Sequence, residues 1–259
     1  MKVSVLITTY NSSEYLGRVL EGYLRQSVLP FEVIVADDGS SDDTQEVVRH
    51  FAELASYSIH HVWHEDLGFR AAKIRNEGIK IATGDYIVFT DGDCIPHPSF
   101  VEDHIYHATI GYFTQGKRML VGKELSRQYC GSSLLKNLWY CLTGKMTGCH
   151  HLLRLRMVIQ YRHGMRGVRS CNMGAFTKDI IAINGFDEAF VGWGREDSDF
   201  AFRLVQYGIK RKDPVFSALV FHLWHPENSR SSLESNDGLL QGAIASGRYW
   251  CQDGIVKNE

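Results

Sequence analysis

The amino-acid sequence predicts an α/β fold with one central, mostly parallel sheet flanked by helices. Short apolar runs alternate with amphipathic helical patterns through the first half of the chain. Strands that are buried on both faces appear as continuous apolar runs, and their alternation with helices is typical of βαβ units. Polar clusters follow three of these strands, at residues 8–11, 37–40 and 91–93. Because ligands bind at the carboxyl ends of parallel strands, the clusters predict one shared site.

The first half of the chain can be assigned element by element from its apolar spacing. A helix start at residues 11–14 is followed by apolar side chains on one helical face, and Ser41 or Asp42 can cap the next helix. The predicted strands lie at residues 2–8, 31–36, 59–63 and 86–90, and a third helix covers residues 69–82.

Length and composition are those of a globular protein. The 259 residues suffice for one large α/β domain or two small ones. The formal charge of −2, from 28 basic and 30 acidic residues, lacks the basic excess of a nucleic-acid binder. No stretch approaches the ~18 apolar residues of a membrane span, and the N-terminal apolar run is too short for a signal peptide. We therefore expect a cytoplasmic protein that binds no nucleic acid.

The second half of the chain is less regular and carries a long basic stretch. Residues 125–178 contain nine Lys or Arg and no Asp or Glu, with apolar residues interleaved. One interpretation is a solvated basic face over a small helical subdomain. The other is a surface that meets anionic lipid or an anionic acceptor, which would place the protein at the inner face of the cell membrane.

The cysteines are scattered and form no C-x-x-C pair. This spacing predicts reduced thiols, not a disulfide framework. Cys149, His150 and His151 are potential zinc ligands, but no second ligand pair has matching spacing.

Asp91 and Asp93 flank a glycine directly after a buried strand. Carboxylates at this spacing fit a divalent cation that bridges a diphosphate. An ordinary turn would also use Asp and Gly, so the motif alone does not establish a metal site. The polar clusters at the ends of the neighbouring strands support the metal-site interpretation.

Two later motifs add candidate catalytic and metal-binding groups. Glu196 and Asp197 follow the glycine-flanked Trp193 at a helix start. Acidic side chains there interact favourably with the helix dipole, but the pair could also provide a general base. Trp193 could stack on a sugar or lie in the core. His222 and His225 could complete a metal site, or could be ordinary hydrogen-bonded histidines.

Taken together, these motifs resemble those of a family 2 glycosyltransferase of the GT-A fold. The resemblance rests on the segment 3–11, the turn at 37–42 and the Asp-Gly-Asp motif at 91–93. Segments 184–188 and 192–197 are similar to the C-terminal part of galactosyl- and N-acetylgalactosaminyltransferases, including the bacterial chondroitin-polymerase type. The resemblance covers about residues 1–230, and it implies a single Rossmann-like sheet with a smaller acceptor-side helical region.

The resemblance implies donor-binding roles for strand-end and helix residues. Thr8, Tyr10 and Asp38 would hold the nucleoside, with Asp38 facing the uracil edge. Further donor contacts would come from the helix before the metal strand, through Lys73, Arg75 and Asn76.

It also implies a metal site and a catalytic base. Asp93 would bind Mn²⁺ or Mg²⁺ directly, with His225 and His222 completing the site, and Asp91 would touch ribose or metal. Asp197 would be the base. Glu196 and Trp193 would shape the sugar and acceptor pocket. Relatives often carry further acids after the Glu-Asp pair, whereas here Ser198 intervenes before Asp199, so the sugar preference of those relatives does not transfer.

The implied activity is inverting, metal-dependent transfer of a hexose or N-acetylhexosamine from a UDP-sugar to a bacterial surface glycan such as lipopolysaccharide or capsule. The acceptor would be a glycan or a lipid-linked glycan. A sugar-nucleotide nucleotidyltransferase is an alternative, but it would carry a glycine-rich basic loop after the first strand, where residues 8–16 contain no glycine. A non-catalytic carbohydrate-binding module would need no metal and base set.

The predicted organisation has a transferase domain at 1–230 and a C-terminal helical extension at 231–259. The domain would divide into a nucleotide-binding half at 1–124 and an acceptor and catalytic half at 125–230. A helix is predicted within the extension at 239–250.

Overall fold

The computed structural model describes residues 1–41 and 43–257 and confirms the α/β class. Helices flank an eight-stranded sheet and a second sheet of four strands. Asp42, one of the two predicted caps, lies outside the described residues. The helix after it begins at Thr44 with Asp43 at the N-cap position, so Ser41 does not cap it.

The strands and helices have the following bounds. The strands are β1 (Val3–Thr9), β2 (Glu32–Asp37), β3 (Ser58–Trp63), β4 (Tyr86–Asp91), β5 (Cys94–Pro96), β6 (Tyr112–Gln115), β7 (Lys117–Val121), β8 (Met146–Thr147), β9 (Leu155–Arg162), β10 (Asn172–Phe176), β11 (Lys210–Phe216) and β12 (Leu219–His222). The helices are α1 (Ser13–Leu24), α2 (Thr44–Leu54), α3 (Ala71–Ile81), α4 (Phe100–His107), α5 (Lys123–Ser126), α6 (Leu134–Leu142), α7 (Thr177–Ala182), α8 (Glu196–Gln206) and α9 (Leu233–Ser246), with a 3₁₀ helix at Cys149–Leu152.

The large sheet is parallel on its N-terminal side and mixed beyond it. Its order is β3-β2-β1-β4-β10-β6-β11-β9, and the first four strands are parallel, as predicted. Strand β10 then pairs antiparallel with both β4 and β6. The smaller sheet has the order β5-β12-β7-β8 and was not predicted, because its strands are short and come from distant parts of the sequence.

Strand β1 lies in the middle of the parallel strands, and its side chains enter the core on both faces of the sheet. Val5 and Ile7 pack into one apolar cluster with α1, while Leu6 packs into the other with α3. Alternate residues of a strand point to opposite faces, so a strand covered on both sides must be apolar throughout. This explains why its continuous apolar run identified it from the sequence.

Several predicted boundaries in the chain need correction. The helix predicted at 69–82 begins at Ala71, because the Arg70 backbone is not helical and Arg70 takes the N-cap position, from which its N–H donates to Asp38. The apolar residues at 215–221, just before His222, do not form a single strand, because a bend at Ser217–Ala218 separates β11 from β12. The C-terminal helix begins at Leu233, earlier than predicted. None of the described helices is long and apolar enough to cross a membrane.

The basic stretch 125–178 is not a purely helical subdomain, because it also contains the eight-residue strand β9. Part of its charge is neutralised within the chain. Arg154 and Arg156 of this stretch both bind Glu102 and Asp103 on α4. Two of its nine basic side chains are therefore paired within the chain, and both predicted interpretations stay open for the rest of the stretch.

The prediction of reduced thiols is wrong for two of the cysteines. Cys141 at the end of α6 and Cys149 at the start of the 3₁₀ helix form a disulfide, with their Cα atoms 6.0 Å apart. The turn between the two helices brings them into the range that a disulfide spans, which sequence spacing does not reveal. A zinc site that uses Cys149 is excluded for the same reason.

Candidate active site

The carboxyl ends of β1, β2 and β4 form the floor of one site. Thr8 pairs with Asp91 across β1 and β4, and Thr9 pairs with Asp37 across β1 and β2. The turn after β4 is tied down because the Gly92 N–H donates to the Thr8 carbonyl at 2.7 Å. A Cβ at position 92 would lie 2.8 Å from Thr9 Oγ1, so this close turn needs glycine. The predicted strand-end clusters therefore meet at one edge of the sheet.

Three potential metal ligands converge beside this floor. The ligand atoms of Asp93, His222 and His225 all lie within 4.8 Å of one another. The Nε2 atom of His225 is 3.1 Å from one Asp93 oxygen, and that of His222 is 3.8 Å from the other. The smaller sheet makes this contact, because β12 pairs with β5 in a register that places His222 opposite Cys94.

The hydrogen bonds of His225 suit a metal ligand. Its Nδ1 lies 2.7 Å from the Pro226 carbonyl oxygen, which can only accept, so Nδ1 carries a proton. In the neutral ring, the Nε2 lone pair then faces a carboxylate oxygen of Asp93. Two facing acceptors at 3.1 Å need either a ring proton or a cation between them, and an outer hydrogen bond of this kind usually orients a histidine towards its metal. The group therefore fits a divalent cation.

A second group of potential ligands, formed by Asp91, Cys94 and Cys171, suits such a cation less well. Burial raises the pKa of the Cys94 thiol well above its usual range. A thiol binds metal as the thiolate, and hard cations prefer oxygen ligands. The thiol of Cys94 instead donates to Asp93 Oδ1 at 3.2 Å.

A buried arginine on α3 connects the strand-end carboxylate to α8. Arg75 donates from Nε to Thr8 Oγ1 at 3.0 Å and from Nη1 to Glu196 Oε1 at 3.2 Å. Its Nη2 lies 3.5 Å from Asp91 Oδ1. Burial alone would lower the pKa of Arg75, but Glu196 and Asp91 outweigh it and raise that pKa. Arg75 thus holds two acids in place and contacts a predicted donor-binding threonine.

The three acids in the first turn of α8 have different surroundings. Glu196 is paired with Arg75, and Asp199 forms a buried ion pair with Arg203, with a 2.7 Å separation. Asp197 has no ion-pair partner among the described residues. Its carboxylate accepts one long hydrogen bond, from the Ser198 hydroxyl at 3.3 Å. Asp197 is therefore the acid of this turn that is free to accept a proton.

The electrostatics of Asp197 suit proton transfer near neutral pH. Burial, followed by the neighbouring Glu196, raises its pKa to about 7, although Arg75 and Ser198 act in the opposite direction. A base works best when its pKa lies near the working pH. The Asp91 carboxyl is raised to a pKa of about 6, mainly by burial.

The predicted nucleoside end of the site is built by the turn after β2 and the loop before α3. Asp38 accepts from the Arg70 backbone N–H at 2.8 Å and lies 2.6 Å from His64 Nε2. Burial raises the pKa of Asp38, against the opposing effect of these partners. Tyr10 is half exposed and donates its hydroxyl to Asp66 Oδ2 at 2.9 Å. Sequence reasoning missed His64, Asp66 and Arg70, which lie in a loop without a motif.

The structure does not bring every predicted residue to the site. Asn76 is fully buried, and its amide group bonds to Phe186 and Glu188, so it stabilises the loop before α8. Lys73 is partly buried and has no ion pair or hydrogen bond among the described residues. Trp193 is partly exposed beside the Arg230 guanidinium, which lies 5.5 Å from its ring centre, and is not part of the core.

Two arginines beside the acid cluster were also missed. Arg118 on β7 contacts Cys171 Sγ at 3.9 Å and lowers the pKa of Asp91. Arg169 is close enough to Arg118 and Asp197 for both to affect its pKa, which burial mainly lowers. Neither guanidinium pairs with a carboxylate among the described residues. The only sequence signal was their basic character, which they share with many surface residues.

Comparison with known families matches both halves of the chain. Residues 4–158 match glycosyl transferase family 2, and residues 150–225 match the N-terminal domain of galactosyltransferase. The first match contains the strand-end clusters, and the second contains the start of α8 and both histidines. Both are glycosyltransferase families, which favours that interpretation over a nucleotidyltransferase or a binding module.

Several characterised proteins are similar in sequence. Validoxylamine A glucosyltransferase of Streptomyces hygroscopicus subsp. limoneus is 29% identical over 80% of this chain and 48% of its own length. Chondroitin synthase of Escherichia coli is 27% identical over 85% of this chain and 34% of its own length. The chain thus spans about half or less of these two relatives. A putative glycosyltransferase of Bacillus subtilis, EpsE, is 30% identical over 84% of this chain and 81% of its own length.

Solved structures share the fold. TarS (residues 1–349) of S. aureus, in a crystal structure with UDP-GlcNAc, superimposes with a TM-score of 0.66 at 18% identity. The alignment covers 94% of this chain and 66% of that one.

Proposed function

We propose a specific reaction for this chain, which belongs to glycosyl transferase family 2. It transfers a hexose or N-acetylhexosamine from a UDP-sugar to a hydroxyl group of a bacterial surface glycan, with inversion at the anomeric carbon. The observation that carries the proposal is the Arg75 guanidinium, which lies 3.5 Å from Asp91 and 3.2 Å from Glu196. It connects the strand end beside the potential cation ligands Asp93, His222 and His225 to the helix start where the pKa of Asp197 is raised to about 7.

The donor nucleotide would lie across the ends of β1 and β2. Asp38 is buried at this edge beside His64, and Tyr10 offers an exposed ring next to it. The UDP-GlcNAc complex of the structural neighbour TarS supports a uridine donor. Thr8 would complete the pocket, with its hydroxyl already oriented by Arg75.

The diphosphate would lie next to Asp93 and the two histidines. Bound Mn²⁺ or Mg²⁺ would offset the negative charge that the diphosphate gains as it leaves. The guanidinium groups of Arg118 and Arg169 lack carboxylate partners in the described part of the chain and would add positive charge there. Charge placed in advance where it will develop is usually the largest contribution to catalysis.

Asp197 would take the proton from the attacking acceptor hydroxyl. Its ordinary pKa would make it too weak a base, and burial beside Glu196 corrects this. Glu196 is fixed by Arg75 and therefore acts as a positioning residue for the base. Because the acceptor oxygen attacks the anomeric carbon once as the diphosphate leaves, an α-linked donor gives a β-linked product.

The acceptor would be a glycan such as lipopolysaccharide or capsule, free or lipid-linked. The similarity to chondroitin synthase supports a saccharide acceptor. Half-exposed Trp193, at the entrance to α8, offers a ring on which a sugar can stack.

Calorimetric titration tests the proposal. UDP, GDP and dTDP are each titrated with and without Mn²⁺, and UDP-sugars are then screened for hydrolysis and transfer. We expect binding of UDP that Mn²⁺ strengthens. Absence of binding for every nucleotide would overturn the proposed function.

A further inference from the structure

Helix α6 is oriented opposite to the usual burial pattern of a globular helix. Its polar residue Asn137 is 2% exposed, while Leu135 and Leu142 are 79% and 82% exposed. The large exposed apolar side chains of this helix, called the α6 face below, are Leu134, Leu135, Leu138, Trp139 and Leu142. Their spacing of three, four and seven residues puts them on one continuous stripe.

Hydrogen bonds fix this orientation. The Asn137 amide accepts from the Tyr129 hydroxyl at 2.9 Å and from the Ser132 hydroxyl, and it donates to the Ser132 carbonyl at 3.1 Å. Rotating the helix to bury its leucines would leave this amide without partners, which is costly in an apolar interior. The Cys141–Cys149 disulfide also ties the helix to the following 3₁₀ helix.

Apolar side chains are also exposed in the segment that follows α6. The 3₁₀ helix packs against α6 and leads directly into β9, at the edge of the large sheet. Leu153, Leu155 and Met157 at this junction are all exposed, and Met157 is almost fully so. Monomeric soluble proteins rarely expose so many large apolar side chains on one helix, so the α6 face indicates a binding surface.

The charged residues within the segment that carries the α6 face are all basic. Lys136 and Lys145 have no carboxylate partner among the described residues, and residues 125–178 contain no acid. The other basic groups nearby, Arg154 and Arg156, are already neutralised by α4. A second copy packed symmetrically on this face would place lysine against lysine with no acid from the segment to compensate.

We propose that the α6 face, with Leu155 and Met157, docks on the surface of an anionic lipid bilayer. Leucines and a tryptophan would enter the interfacial layer, and Lys136 and Lys145 would attract anionic head groups. The helix is joined through β8 and β7 to the small sheet that carries His222, so docking would hold the proposed metal site next to a membrane. Docking on the bilayer would give access to a lipid-linked acceptor, and this role rests on the proposed function. The binding to lipid is argued from the α6 face alone.

Vesicle flotation tests this inference with the full chain. Vesicles of phosphatidylglycerol and phosphatidylcholine in equal parts are compared with vesicles of phosphatidylcholine alone. We expect binding to the anionic vesicles that weakens roughly fivefold for each lysine in Lys136→Gln and Lys145→Gln. Leu135→Gln combined with Leu142→Gln should weaken it at least about tenfold.

A matched control changes exposed apolar residues elsewhere. Leu54→Gln combined with Ile110→Gln alters side chains that are 57% and 72% exposed, and it should leave vesicle binding unchanged. The proposal would be overturned if the wild-type protein did not bind anionic vesicles, or if the α6 variants bound them as well as wild type. So would dimerisation in sedimentation velocity that the α6 variants abolish, since the face would then belong to a second copy. UDP titration of the same variants keeps this test separate from that of the proposed function.

Discussion

Replacing Asp197 with Asn should nearly abolish sugar transfer while leaving nucleotide binding intact. The amide keeps the shape of the side chain but cannot accept the acceptor proton. Loss of general-base assistance typically costs about 10²–10⁴-fold in rate. We expect a fall of this size in kcat, with UDP affinity within about twofold of wild type, because Asp197 makes no contact with the proposed nucleoside pocket.

The pH dependence makes this prediction sharper. With the pKa of Asp197 near 7, roughly a tenth of the base is ionised at pH 6 and roughly nine tenths at pH 8. Wild-type turnover should therefore rise with pH through about 7, and the residual activity of Asp197→Asn should lose this rise.

Stability should change in the opposite direction to activity. A carboxyl whose pKa is raised by folding favours the folded state less as pH rises from its ordinary value to about 7. Asp197→Asn removes this cost, so its thermal midpoint at pH 8 should exceed that of wild type, by about 2–4 °C for each kcal/mol of the cost. The two midpoints should converge near pH 4.

The assay is radiolabelled or coupled transfer from the best UDP-sugar, with UDP calorimetry on the same preparations. Glu53→Gln on α2 is the matched control, because it makes the same acid-to-amide change at an exposed site away from the cleft. If Asp197→Asn kept more than about a tenth of wild-type kcat, or kept its pH profile, the assignment of the base would be refuted.

Three further predictions follow from the site. Asp93→Ala should weaken UDP binding at least about tenfold in Mn²⁺ but little without metal, and equal titrations in both conditions would contradict its role as a ligand. Arg75→Met leaves Glu196 and Asp91 unpaired, so the free energy of unfolding in urea should fall by about 3–5 kcal/mol, and Arg75→Lys should restore part of it. An unchanged unfolding midpoint would show that Arg75 does not compensate the charge of these acids. Gly39→Ala should destabilise the fold by about 1–3 kcal/mol and weaken UDP binding, because φ is +97° and a Cβ would lie 2.6 Å from the Asp66 backbone. Gly68→Ala has a similar φ of +87° but open space around the Cβ, so equal losses in the two variants would exclude the steric contact as the cause.

Much of the N-terminal half could be predicted from the sequence. The strands β1, β2 and β4 are continuous apolar runs, since both of their faces are buried under helices. The polar residues that end them had to lie at one sheet edge, because parallel strands share their carboxyl ends. That argument located Thr8, Asp38 and Asp91 together before any contact was known.

The C-terminal half followed local pattern less closely. Strands β9, β11 and β12 pair with partners far away in the sequence, β9 lies at the edge of its sheet, and β12 has only four residues, so local alternation predicts them poorly. The Cys141–Cys149 disulfide was missed because a turn, not a spacing rule, brings the two residues together. Asn76 was expected to contact the donor, but its side-chain amide donates to the Phe186 carbonyl, more than a hundred residues later in the sequence.

The sequence alone determined the α/β class and the edge of the sheet where the site lies, because apolar runs and strand-end turns are local features. Tertiary structure decided which side chains face one another there. The register of β12 on β5 brings His222 towards Asp93, and the fold joins Glu196 at the start of α8 to Arg75 on α3 across 121 positions of sequence. It also decided that α6 buries Asn137 and exposes its leucines, because the hydrogen-bond partners of a buried amide, and not the amphipathic pattern, fix the rotation of that helix.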